Sequence, residues 1–215
     1  MKFRVLGFDV EVDMTFGLIL MLFSSSYLTG GNLPAFLEQS LILFLSILIH
    51  ELGHALAFKK FGIMSRIQLH GMGGVCIPLT NKQILHKQSV LVSLAGPFAM
   101  FIIAGIYFAL DKAMVLPDSA LPADRRAFII YFINVGWGIF NLLPVFPLDG
   151  GQAFRSFLKA IRIKKAEAIA RFLSIGCLAA IGYLSFKTGH LWLMFLTALL
   201  AMDNYRLYDA TKRAS

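Results

Sequence analysis

A chain of 215 residues that is 58% hydrophobic, with a mean hydropathy of +0.72, is too apolar for a soluble domain of its length. Its twenty Phe suit lipid-facing helices, where that side chain is cheap to place in hydrocarbon. The net charge of +8 is not a nucleic-acid footprint, because Lys and Arg are spread between apolar runs and are not interleaved with aromatic residues. Cys76 and Cys177 are too few and too far apart for a disulfide framework or a Cys-rich zinc site, and are expected as buried free thiols.

In chain order, residues 3–12 partly alternate and predict a short strand near the membrane surface. Asp9, Glu11 and Asp13 stand directly before the first apolar run, which argues against a cleaved signal peptide despite the basic start and Ser24-Ser25-Ser26. Apolar runs at roughly 14–29, 36–58, 89–110, 127–147, 168–186 and 189–203 give six candidate spans, some short or interrupted, set against a need for about 20 residues each. Between the second and third, residues 67–78 hold Gly71, Gly73 and Gly74 among β-branched and apolar residues, which predicts a hairpin or a glycine-kinked strand. The expected fold class is an all-α polytopic membrane protein of about six transmembrane helices with a small membrane-associated β-element. It forms a single domain over 1–215, without repeats or a soluble appendage.

Positive residues predict the sidedness. Lys2 and Arg4, the group from Lys59 to Lys87, the group from Arg155 to Lys165, and the terminal Arg206, Lys212 and Arg213 all fall on one side. The opposite side carries Lys112, Arg125 and Arg126 diluted by Asp111, Asp118 and Asp124, plus Lys187. Both termini are therefore expected in the cytoplasm.

The strongest local signal is His50-Glu51-Leu52-Gly53-His54. Residues four apart project from one helical face, so His50 and His54 can hold one metal ion, and Glu51 lies about 100° around from the first histidine, where a general base can sit without coordinating. Ionisable groups in a membrane helix cost a few kcal/mol each, so they are usually functional. The alternative is a buried polar cluster that stabilises helix contacts. A catalytic zinc takes three protein ligands and leaves a position for water. Asp149, at the predicted end of the fourth helix, is the candidate third ligand, because both helices run towards the cytoplasm and end in the same leaflet. Pro144 and Pro147 break the helical ladder beside it, and irregular backbone at membrane depth is tolerated where it lines a wet cavity. The alternative there is a proline-kinked helix end with Asp149 as a solvated cap.

Three separated elements, namely residues 50–54, segment 141–151 with its Leu148-Asp149-Gly150 ending, and Ser93-Leu94-Ala95-Gly96-Pro97, resemble the site-2 protease family of intramembrane zinc metalloproteases (M50 type) in order and spacing. The resemblance covers about 36–152 and lacks the PDZ or CBS domains that members often carry. It implies one Zn2+ per chain on His50, His54 and Asp149, with Glu51 as the catalytic base. It also implies substrate binding by Asn141 and by Gly73, Gly74 and Val75, a β-element near the active-site entrance. Gly96 and Pro97 are expected to serve helix packing. The implied substrates are transmembrane proteins, locally unwound; the implied setting is a lipid bilayer, a prokaryotic cytoplasmic membrane, with an oligomer or regulatory partner left open. The glycine segment is either a strand edge for substrate or a plug. His70 and His86 are expected as loop residues, His190 is on the far side, Asn134 either lines the cavity or bonds between helices, and Trp137 and Trp192 pack. A metal or proton transporter would place ionisable groups on both leaflets, and a non-proteolytic scaffold would have lost Glu51 or a ligand.

Overall fold

The computed structural model describes residues 1–80, 82, 84–113 and 119–213; the side chain of Trp192 and those from 207 onward lie outside the description. Asp118, counted above for sidedness, also lies outside the described residues, as do the side chains of Lys212 and Arg213. The chain divides into two compact units, the first made of 1–83 and 95–140, the second of 84–94 and 141–215.

The first unit opens on a hairpin, β1 (Lys2–Val5) and β2 (Phe8–Val12), joined by Leu6 and Gly7 with φ of 51° and 88°. Two positive φ values in a two-residue loop are what the right-handed twist of paired strands demands. The predicted strand over 3–12 is thus two strands. Helix α1 (Phe16–Thr29) turns back through Gly30 and Gly31 into α2 (Leu33–Lys60). Asn32 caps α2, its side-chain oxygen accepting from the Ala35 amide at 3.1 Å, and Pro34 sits in the first turn where no amide donor is needed. Then β3 (Ser65–His70) and β4 (Gly73–Pro78) form the predicted hairpin.

The four strands make one sheet in the order β1-β2-β3-β4, with β2 and β3 parallel (Val10 opposite Ile67) and the outer pairs antiparallel. A parallel pair needs a long crossover, and here α1 and α2 supply it. Thr15 locks the junction: its amide and hydroxyl donate to Asp13 Oδ1 at 2.8 and 2.7 Å, and its hydroxyl accepts from the Gly71 amide at 2.9 Å. Those two hydrogen bonds hold the Asp13 carboxyl below the usual carboxylate range.

Phe8, Val10, Ile67 and Leu69 on one sheet face pack against Leu48, Leu52 and Ala55 of α2, with Phe16 completing the cluster. Leu48, Leu52 and Ala55 recur at the i, i+4, i+7 spacing of one helical stripe. Helix α3 (His86–Lys112) belongs to the second unit up to Leu94 and to the first from Ala95 on. Against this latter part α2 comes so close that a Cβ on Gly53 would stand 2.5 Å from the Ala95 carbonyl oxygen and 3.0 Å from Ala99 Cβ. Helix α4 (Ala123–Tyr131), a π-turn (Phe132–Gly136) and α5 (Trp137–Asn141) follow as consecutive segments. Asn134 in the π-turn is buried and donates to Ser46 Oγ of α2 and to the Ile130 carbonyl, both at 3.0 Å. Of its two expected roles, it therefore performs the interhelical one.

The second unit holds α6 (Asp149–Ala160), α7 (Ala166–Thr188) and α8 (Leu191–Arg213). Phe146 and Leu158 pack with Ala166 and Ala170 at its core. The Ser174 hydroxyl accepts a hydrogen bond from the Phe146 amide at 2.9 Å and another from Asn204 Nδ2. Arg155 and Lys159 pair with Glu167 at 3.3 and 2.6 Å, tying α6 to the start of α7.

Among the described residues, three helices are long and apolar enough to cross a membrane, α2, α3 and α7, with mean hydropathies of 1.9, 2.1 and 1.7 over their best windows. The chain is a membrane protein, and three of the six expected spans qualify by length and composition among the described residues. The shortfall has physical causes. Helix α1 has 14 residues, about 21 Å at 1.5 Å per residue, against a hydrocarbon core of about 30 Å. The run at 127–147 is divided by the π-turn and stops at Asn141, and α8 becomes polar beyond Asp203.

A methyl group at Gly53 must push α2 and α3 apart. Gly53→Ala is expected to cost about 1–3 kcal/mol, read as a lowered thermal midpoint in detergent. Gly105→Ala on α3, with open space around its Cα, is expected to be neutral or to stabilise by up to about 1 kcal/mol.

Candidate metal centre

One helix serves three neighbours because its residues point in three directions. At about 100° per residue, Leu48, Leu52 and Ala55 of α2 face the sheet, His50 and His54 lie roughly opposite, and Glu51 falls between the two faces. The structure agrees in each case. His50 Nε2 and His54 Nε2 approach to 3.1 Å with their rings nearly perpendicular, at an interplanar angle of 83°. Glu51 lies under β4: a Cβ on Gly74 would come within 2.5 Å of Glu51 Cγ and 2.6 Å of its Oε1. All three residues are buried, at 8%, 4% and 7% relative exposure for His50, Glu51 and His54.

The imidazole spacing tests the fit to a metal. Two ligand nitrogens at 2.0–2.1 Å from one tetrahedral ion stand about 3.3 Å apart, close to the 3.1 Å found here. Two borderline nitrogen donors converging on one point suit zinc.

Gly96 has a role that sequence reading missed. It was expected to serve packing, but a Cβ there would collide with His54 Nε2 and stand 2.6 Å from His54 Cε1 and 2.9 Å from His50 Cε1. The missing side chain is the space the two rings occupy. Met100, one turn further along α3 and fully buried, places its sulfur 3.2 Å from His50 Nδ1, another contact without a motif to announce it.

Of the expected substrate-binding residues, Gly74 contacts Glu51 as described, while Gly73 takes φ 126° at the start of β4 and Val75 is partly exposed on it. Strand β4 ends the sheet order, so one of its edges is unpaired within that sheet. Cys76, packed against the sheet–helix core, has its thiol pushed up to about 12, chiefly by burial; a hydrogen bond with Ser65 opposes the shift and the charge of Glu51 adds to it. His70, expected in a loop, is instead the last residue of β3, and its Nδ1 accepts from the Met72 amide at 3.3 Å.

Asn141 and Asp149 lie in the second unit. Asn141 is buried at the end of α5. Asp149 does not end a helix as predicted but opens α6, with Leu148 before it at the helix N-terminus. A carboxylate in a first helical turn complements the positive end of the helix dipole. Segment 142–148 folds back over this turn so closely that a Cβ on Gly150 would collide with the Leu142 carbonyl, and one on Gly151 would stand 2.6 Å from that of Val145. The glycines after Asp149 therefore admit the chain that precedes it.

Gly96→Ala is expected to weaken zinc binding by about tenfold or more, the loss typical when support around a ligand is disturbed, measured by chelator competition. Gly176→Ala, with open space around it, is expected to leave binding unchanged. Cys76 is expected to resist alkylation by iodoacetamide at pH 8 in the folded protein and to react on unfolding, since about one thiol in 10⁴ is ionised four units below its pKa.

The model of Peptidase family M50 matches residues 117–182. Zinc metalloprotease MJ0392 of Methanocaldococcus jannaschii is 28% identical over 157 residues, covering 73% of this chain and 44% of that protein. Rip3 of Mycobacterium tuberculosis is 31% identical over 216 residues, covering 90% of this chain and 54% of its own length. The chain thus spans about half the length of the curated relatives it matches. In fold it is similar to the site-2 protease from Methanocaldococcus jannaschii, with a TM-score of 0.66 at 23% identity, covering 96% of this chain and 94% of the other. The chain is a relative of the site-2 proteases of peptidase family M50.

Proposed function

We propose that the chain is an intramembrane zinc endopeptidase that hydrolyses peptide bonds of transmembrane protein substrates. The observation that carries this reading is the pair of converging imidazoles, with Glu51 next to His50 on the same helix and covered by an edge strand. Asp149 completes the ligand set: a catalytic zinc takes three protein ligands, the motif places Asp149 in the matching position, and the Lys and Arg distribution assigns it to the same leaflet as the histidines. The functional core extends over about 36–152 of one transmembrane domain.

When bound, zinc supplies Lewis acidity to the attacking water and to the scissile carbonyl. His50 and His54 offer neutral imidazole nitrogens, and Asp149 one negative charge. Glu51 takes the proton of the attacking water and delivers it to the leaving amine. Burial of Glu51 keeps its carboxylate away from bulk water, and Gly74 admits the strand that covers it. A substrate helix hides its carbonyls in its own hydrogen bonds and must unwind. The unpaired edge of β4 near Gly73, Gly74 and Val75 replaces those bonds by strand addition, and Asn141 positions the unwound segment. Both termini and the site face the cytoplasmic side of a cell membrane.

Glu51→Gln is expected to abolish cleavage of single-pass membrane peptides while retaining one zinc per chain. Asp149→Asn is expected to lower zinc affinity and activity together. Cleavage by Glu51→Gln at the parent rate, or a parent protein that holds no zinc, would overturn the proposal.

A further inference from the structure

We infer that the Met100 thioether is the group that fixes the tautomer and orientation of His50 as a metal ligand, an inference that rests on the metalloprotease reading above. A histidine that ligates a metal through one ring nitrogen almost always donates the hydrogen on the other to a carboxylate, a carbonyl or a water. In this chain the nitrogen of His50 that faces away from His54 meets sulfur: Nδ1 lies 3.2 Å from Met100 Sδ, while Nε2 lies 3.1 Å from His54 Nε2. A hydrogen on Nδ1 makes the sulfur contact attractive, whereas a lone pair there would face the lone pairs of the thioether. The neutral ring therefore carries its hydrogen on Nδ1 and presents the lone pair of Nε2 on the side of His54, where the metal would bind.

The rest of α3 is built around this contact. Met100 is four residues beyond Gly96 and thus on the same helical face; Gly96 clears the volume for the two rings, and Met100, at 0% exposure, closes one side of it. A carboxylate in this place would add a buried charge to a spanning helix, which a thioether avoids. Sulfur is a weak, uncharged acceptor, so His50 is oriented by a contact that adds no charge to the site. Met100 is a positioning residue that acts through His50.

The test is zinc affinity by chelator competition in a Glu51→Gln background, where turnover plays no part. Met100→Leu, close in volume, is expected to weaken binding about tenfold or more, and Met100→Gln, which restores an acceptor, to recover most of the loss. Global replacement of methionine by norleucine separates sulfur from shape: it is expected to reproduce the Met100→Leu loss in the parent and to add nothing in a Met100→Leu chain. Parent affinity retained in the norleucine protein, or in Met100→Leu, would overturn the inference. Absence of zinc from the Glu51→Gln parent itself would overturn it together with the protease reading, whereas tight zinc binding without any peptide cleavage by the wild type would sink that reading alone.

Discussion

The approach of α2 to α3 is the constraint on which the rest of the centre depends. Each helix gives up a side chain to reach this distance: Gly53 lets the α2 backbone rest on the Ala95 carbonyl, and Gly96 leaves its own volume to the imidazoles of His50 and His54. Between spanning helices there is no hydrophobic drive to associate, so van der Waals contact at small residues and interhelical hydrogen bonds must hold them together. The spacing that packs the helices is the spacing that seats the two imidazoles.

The same helix has to reconcile an apolar solvent with buried polar groups. Glu51, His50 and His54 are all nearly inaccessible, and Ser46, one turn before His50, is taken by Asn134 of the π-turn. Glu51 escapes lipid because the sheet covers it, and the sheet can do so because its other contact with α2 is an ordinary apolar cluster of Phe8, Val10, Ile67 and Leu69 on Leu48, Leu52 and Ala55. The polar site and the hydrophobic core are thus neighbouring stripes on one cylinder.

What was legible in the sequence follows from how local each feature is. The i, i+4 histidines and the intervening glutamate lie within one helical turn, so periodicity alone places them. Residues 67–78 announce a hairpin by their glycines, and it forms at Gly73–Pro78 against Ser65–His70. The pairing of β2 with β3 spans more than fifty residues and carries no local signal, so residues 3–12 predict a single short strand and not its partner. Asp149 was assigned to a helix end because Pro144 and Pro147 read only as a stop; that the chain restarts as α6 at Asp149 depends on the fold-back over Gly150 and Gly151. Gly96 and Met100 matter through what stands opposite them on another helix, which no spacing within α3 reveals.

The parallel pairing of Val10 with Ile67 also bears on how the chain is made. Because β2 and β3 share a sheet, the start of α1 and the end of α2 are both anchored at that sheet. At about 5–20 residues per second, the ribosome needs roughly 3–12 seconds to deliver β3 after β2 is complete. Throughout that interval β2 lacks its parallel partner, and the first unit gains its full sheet only after α1 and α2 have been synthesised.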